Sequence, residues 1–166
     1  DTVYQLSGTQ WIPYLYLDMG KYQMPIEYEA WYSEDAYNKN AINYWNIPRL
    51  EEDDRYFFFT AVRQKYIQKG ENENDCKFII YDKKAKEGFV VKDENGMKIT
   101  DDILGGPNFW PRWSTDNFYI TTMEWSDLEQ WTKEEKHILS PTLQEQFETW
   151  GEDTNQLIVL CKKNNI

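Results

Sequence analysis

Residues 56–90, YFFFTAVRQKYIQKGENENDCKFIIYDKKAKEGFV, carry the fold class in their spacing. The run from Tyr56 to Val62 is almost wholly apolar, and its length is that of a strand covered on both faces. The polar stretch QKGENENDC interrupts it, CKFIIYD follows from Cys76, and the turn-prone DKKAKEG separates that run from GFVV. Such spacing predicts a meander of antiparallel strands joined by tight connections, with the run at 56–62 in the middle of the sheet.

The flanking segments repeat the pattern. TVYQL alternates apolar and polar residues, and WIPYLYLDM follows the turn pair Ser7-Gly8, so the chain opens on a strand pair with no lead-in, as a trimmed chain would. Residues 20–55 read as a long loop with one short helix, capped by Ser33, with Tyr37, Ala41 and Tyr44 at helical spacing and Pro48 as its end. KDENGMKITDDILGG reads as a loop with Asn95-Gly96 as its strongest turn signal, and NFYITTMEW as a strand. Two short helices come next. Ser126 to Glu129 spells a capping box, SDLE, with Leu128, Trp131 and Ile138 along one side. Ser140-Pro141 starts the second, with Leu143, Phe147 and Trp150 on one face and Gly151 as the stop. QLIVLCKK closes the chain as a buried strand whose lysines mark its exit to solvent.

At 166 residues the chain has the size of one ordinary domain, able to bury a core without metals or disulfides. Its 18 basic against 29 acidic side chains give a net charge of -11, which repels phosphate backbones and anionic membrane surfaces, so nucleic acid is excluded as an expected partner. No run approaches the roughly 20 apolar residues of a membrane-spanning helix, and no leader pattern opens the chain; an export signal, if the protein had one, is expected to have been removed. The aromatic content of 17% reads in two ways, as a β core rich in Tyr and Trp or as surfaces that stack on sugars. Cys76 and Cys161 sit in apolar runs as small hydrophobes, and would pair only if their strands were neighbours.

Motifs for catalysis are missing. His137 stands alone near a helix end with Lys133 and Lys136, and neither HExxH nor CxxC occurs, so no metal site and no cofactor are expected. The acidic DENG and TDD segments lack the alternate oxygen ligands of a calcium loop. Carboxylates are paired at Glu51, Glu52, Asp53 and Asp54 and at Asp101 and Asp102, but their abundance makes residue type uninformative about acid and base roles. Gly105-Gly106 is no phosphate loop, since Pro107 removes a donor, and no GxSxG elbow exists.

The segments DTVYQL, LYLDMGKYQMP, LEEDDRYFFFTAV, KFIIYDKK, DDILGGPNFWPRW and GEDTNQLIVLCKK, in that order, resemble the C-terminal half of secreted six-bladed β-propeller lipoproteins of gut-type bacteria. That family is related to NHL and TolB-like propellers. The likeness touches nearly the whole chain, and its most specific pieces are the Gly-Gly followed by FWP and the acidic EDTNQ before the last strand. It implies a mainly β fold of antiparallel propeller blades with two short helices near the C-terminus. At roughly 40–45 residues per blade the chain would hold about three of the six. The implied organisation is one partial propeller over 1–166, with blade pieces at about 1–19, 56–91 and 109–124 with 157–163, and a helical insertion at about 126–150.

In such a fold Gly105-Gly106 permits a tight or positive-φ turn, and Phe109, Trp110 and Trp113 wedge between blades; alternatively one or both tryptophans stand exposed for a sugar. The implied function is a non-catalytic, exported protein of the periplasm or cell surface that presents a face for a protein or carbohydrate ligand. Its membrane attachment would run only through a lipid anchor that these residues do not contain. Trp110, Trp113, Asn108, Arg112, Asp101 and Asp102 are the expected ligand-binding residues. The alternative is a carbohydrate-active hydrolase or lyase with carboxylates at the ring centre, which the lack of an enzyme motif disfavours. An exposed blade edge would also favour self-association of the partial propeller.

Overall fold

The computed structural model describes residues 2–29, 33–63, 76–92, 99–133, 138–151 and 155–163. All of the expected polar turn QKGENENDC but Cys76, the turn at Asn95-Gly96, and His137 with Lys136, lie outside the described residues. The described strands form three sheets and are mainly antiparallel, with a few short helices between them. The chain divides into two compact units, residues 1–49 with 60–77 and residues 50–59 with 78–166.

The first unit opens with a hairpin of β1 (Thr2–Ser7) and β2 (Gln10–Tyr16), in which Ser7 faces Gln10 across the turn. Gly8 takes a φ of 61° there, a left-handed conformation that glycine reaches without a Cβ penalty. The register shifts between Val3 and Tyr4, a bulge that accommodates Tyr14 on the longer strand. Helix α1 (Glu34–Asn40) starts where Ser33 Oγ accepts a hydrogen bond from Ala36 N at 3.2 Å. Tyr37 and Ala41, four residues apart, then bury one face against Met24, with Tyr28 and Tyr44 around them.

A four-stranded sheet runs in the order β3-β4-β5-β6, comprising Trp45–Glu52, Tyr56–Arg63, Cys76–Asp82 and Glu87–Val90. Strand β4 is interior, as its apolar run required, and Phe57, Phe58, Phe59 and Ala61 are all buried. Pro48, expected from the sequence to end a loop, lies exposed within β3. A proline cannot donate to a ladder, and β3 tolerates it because it is the edge strand of this order. Strands β5 and β6 pair antiparallel from Ile79 opposite Val90 to Asp82 opposite Glu87.

In the second unit a smaller sheet runs β7-β8-β9, Trp113–Ser114, Phe118–Met123 and Leu157–Lys162. Strand β9 is expected from its composition to be buried; instead Ile158 and Leu160, two residues apart and so on one face, are 69% and 55% exposed, because that face of the strand is open to solvent. Helix α2 (Trp125–Thr132) also begins before its expected cap. Glu124 holds the cap position with extended backbone, and its N–H donates to Asp127 Oδ2 at 3.0 Å. Ser126 therefore lies in the first turn. Helix α3 (Pro141–Thr149) follows the expectation, with Ser140 Oγ accepting from Leu143 N at 3.3 Å and proline in first place. Leu128, Leu139 and Leu143 form a core against Met123, Trp131, Phe147 and Trp150, while Ile138 is 83% exposed, being past the end of α2.

Candidate functional site

The segment from Asp101 to Trp113 is a corner built around one carboxylate. Asp101 Oδ1 accepts hydrogen bonds from Ile103 N at 3.2 Å and Leu104 N at 2.9 Å, and its Oδ2 accepts from Gly106 N at 3.2 Å. An aspartate that caps the backbone two and three residues on makes a turn without help from secondary structure. The turn needs Gly105, whose φ is +70° and whose position leaves no room for a side chain: a Cβ there would meet Ile138 O at 2.2 Å. Gly105 O accepts from Trp131 Nε1 at 3.0 Å, and Leu104 O accepts from Ser140 N at 2.7 Å, so both short helices grip the corner.

Beyond the glycines the chain enters the sheets. Phe109 bridges antiparallel to Ile99, with N–H···O contacts of 2.7 and 3.0 Å. Trp110 turns inward, 7% exposed, with Phe58 and Phe78 edge-on at 5.8 and 4.8 Å between ring centroids. Pro111 is fully buried behind it. Arg112 N donates to Ile120 O at 2.8 Å, its side chain is exposed, and Trp113, opposite Ile120 on β7, is 51% exposed.

The six expected ligand-binding residues thus part company. Trp113 and Arg112 are exposed, as is Asp102 in the turn. Trp110 offers no open ring face, because the core needs its bulk beside Phe58. Asp101 spends both oxygens on backbone donors, and Asn108 is half-buried.

A buried polar network escaped the sequence reading. Asp53, in the turn between β3 and β4, accepts from Arg55 N at 2.8 Å and Tyr56 N at 2.6 Å through Oδ1. Its Oδ2 accepts from Tyr119 OH at 2.6 Å and pairs with Lys163 Nζ at 3.1 Å. Lys163, read from sequence as the exit to solvent, is only 14% exposed; it also donates to Ser114 Oγ at 2.9 Å and lies 4.6 Å from the Tyr119 ring centroid. Burial works to raise the Asp53 carboxyl, but the hydrogen bonds from Tyr119, Tyr56, Arg55 and Lys163 together hold it below its ordinary range. Burial first, and then the Asp53 charge, push the Tyr119 hydroxyl well above the usual tyrosine range. A carboxylate held ionised and a phenol held neutral are matched donor and acceptor, so the network suits cohesion better than proton transfer.

Asp82 is engaged in the same manner at the β5-β6 turn. Its Oδ1 accepts from Lys84 N and Ala85 N at 2.8 and 2.9 Å, and its Oδ2 lies 3.1 Å from Arg55 Nε and Nη2. The Ala85 hydrogen bond leads in holding its carboxyl below the ordinary range. Sequence offered a signal for both, since an aspartate followed by two or three polar residues between strands is a turn cap. Nothing in sequence joins residue 53 to residue 163.

No disulfide joins Cys76 and Cys161, the first half-buried and the second exposed; partial burial, then the Asp101 charge, raise the Cys161 thiol. Among the described residues no group of three or more His, Cys, Asp or Glu is arranged for a metal ion, and no helix is long and apolar enough to cross a membrane.

No curated protein matches the chain. The crystal structure of a Bacteroides fragilis NCTC 9343 protein, provisionally described as exported, is similar with a TM-score of 0.57 at 14% sequence identity. The match covers 98% of this chain and 45% of that one, so the chain spans less than half the length of that protein. At this identity the likeness concerns the fold. A family model described as a domain of unknown function, DUF4933, matches residues 1–134, and the chain belongs to that family.

Proposed function

We propose that the chain is part of a non-catalytic β-propeller of the cell envelope and that it presents a binding face for a carbohydrate. The observation that carries this reading is Trp113, an indole 51% exposed at the outer end of a corner whose other tryptophan is buried. An indole held on a fixed corner supplies stacking area with little ordering cost. The four-stranded sheet in sequential order, β3-β4-β5-β6, supports blade-like construction. Export is supported by the likeness to the Bacteroides fragilis protein. Relation to the NHL and TolB-like propellers, and a lipid anchor, belong to the same proposal.

The hydrolase reading gains nothing from Asp53, Asp82 or Asp101, because their oxygens are committed to turn donors and ion pairs. The test is calorimetric titration of the chain with a panel of neutral and acidic oligosaccharides. Binding that falls at least ~10-fold in Trp113→Ala, with the Asp102→Asn variant unaffected, is the expected result. No binding by any member of the panel, or binding indifferent to Trp113, overturns the reading.

A further inference from the structure

Residues 2–16 contain no Asp, Glu, Lys or Arg, in a chain that is 28% charged and carries a net charge of -11. This charge-free stretch is the β1-β2 hairpin. Its register pairs Leu6 with Trp11, Tyr4 with Pro13 and Thr2 with Tyr16, and residues directly opposite one another share a face. On that face Trp11 is 69% exposed, Tyr16 64%, Leu6 57% and Tyr4 51%. The opposite face pairs Gln5 with Ile12 and Val3 with the half-buried Leu15. That opposite face is also partly open, with Gln5 exposed and Ile12 48% exposed, but the larger aromatic side chains gather on the face of Trp11.

Two-stranded hairpins are marginal in water and gain stability when more strands or a packed face complete them. In the described residues this sheet has two strands, with outer edges that can accept further pairing. We infer that the face of Tyr4, Leu6, Trp11, Pro13 and Tyr16 docks a second copy of this chain, hairpin against hairpin about a two-fold axis. Charge and geometry both favour a second copy as the occupant. Each copy carries -11, so two copies can approach closely only through surface that brings no carboxylates together, and the hairpin is such a surface. A two-fold contact also needs one patch that complements itself, which flat aromatic and aliphatic side chains do.

The area suffices. At these exposures the face offers roughly 600 Å² per copy, and face-to-face contact removes roughly 1,200 Å² in total, the lower end for specific interfaces. The inference is independent of the ligand read at Trp113, which lies on β7 in the other unit.

Light scattering after size exclusion, over a range of concentrations and at low and high salt, tests it. The expected species has twice the mass of the chain, and its share grows with salt as the repulsion between copies is screened. Trp11→Glu, which puts an unpaired charge on the face, is expected to weaken association at least ~100-fold while far-UV circular dichroism stays unchanged. Gln5→Glu adds the same charge to the opposite face and leaves the dimer intact. Should Trp11→Glu not fold, Trp11→Ser tests the same contact with a loss of at least ~10-fold. A wild-type chain monomeric at every concentration overturns the inference, as does a Gln5→Glu variant that dissociates as fully as Trp11→Glu. Dissociation of the dimer by a neutral oligosaccharide also overturns it and assigns the face to sugar.

Discussion

Gly105 and Gly8 separate two reasons for a glycine. Both have positive φ, at +70° and +61°, but a Cβ at Gly8 would meet nothing within 4 Å, whereas at Gly105 it would meet Ile138 O at 2.2 Å. Gly8→Ala is expected to cost about 1 kcal/mol, the left-handed backbone alone. Gly105→Ala is expected to cost about 3 kcal/mol, since Ile138 and the corner must also move. Urea midpoints of the two variants, at unchanged slope, give the comparison; equal losses would mean that the corner yields freely to a side chain. The need for a glycine at this corner was legible in the Gly-Gly-Pro run. The fate of the tryptophans was not, because Trp110 and Trp113 differ in burial only through which sheet each meets, and that is a tertiary fact.

Elements announced themselves where local chemistry and tertiary demand agree. The meander at 56–90 and the helices capped by Ser33 and Ser140 had apolar runs of the right period bounded by the right turn or cap residues. Strand β3 was hidden because Pro48 and the charges around it read as loop, and an edge position alone makes them tolerable. Strand β9 was visible as a strand but its burial was misread, since LIVL describes composition and says nothing about how many sides are covered. At α2 the spacing of Glu124 and Asp127 duplicates that of Ser126 and Glu129, and extended backbone at Glu124 settles the start. Ser140→Ala is accordingly expected to cost about 1 kcal/mol, whereas Ser126→Ala should stay within about 0.5 kcal/mol. Thermal melts of both variants check the assignment, and a Ser126 loss as large as that of Ser140 would return the cap to SDLE.

The molecule as a whole should be acid-sensitive through two turn carboxylates. Asp53 and Asp82 both have folded values below their ordinary ones, so the stability they contribute is fully present above the unfolded carboxylate range and is lost as pH falls through their folded values. Melting temperature measured from pH 7 downward is expected to hold until about pH 4 and then fall. Asp53→Asn, which keeps the shape but not the charge, should start lower and fall less steeply; a wild-type curve flat to pH 2.5 would show that these carboxylates add little. The Asp53 to Lys163 contact also orders events in time. Residues 50–59 belong to the same unit as residues 78–166, although residues 60–77 of the other unit separate them in the chain. During synthesis Asp53 can cap its own turn through Arg55 N and Tyr56 N at once, but its other oxygen waits for Tyr119 and Lys163, made long afterwards. Closure of that unit is therefore a long-range step, slowed by the length of chain it spans, and a nascent chain stalled short of Lys163 leaves Asp53 Oδ2 without its cationic partner.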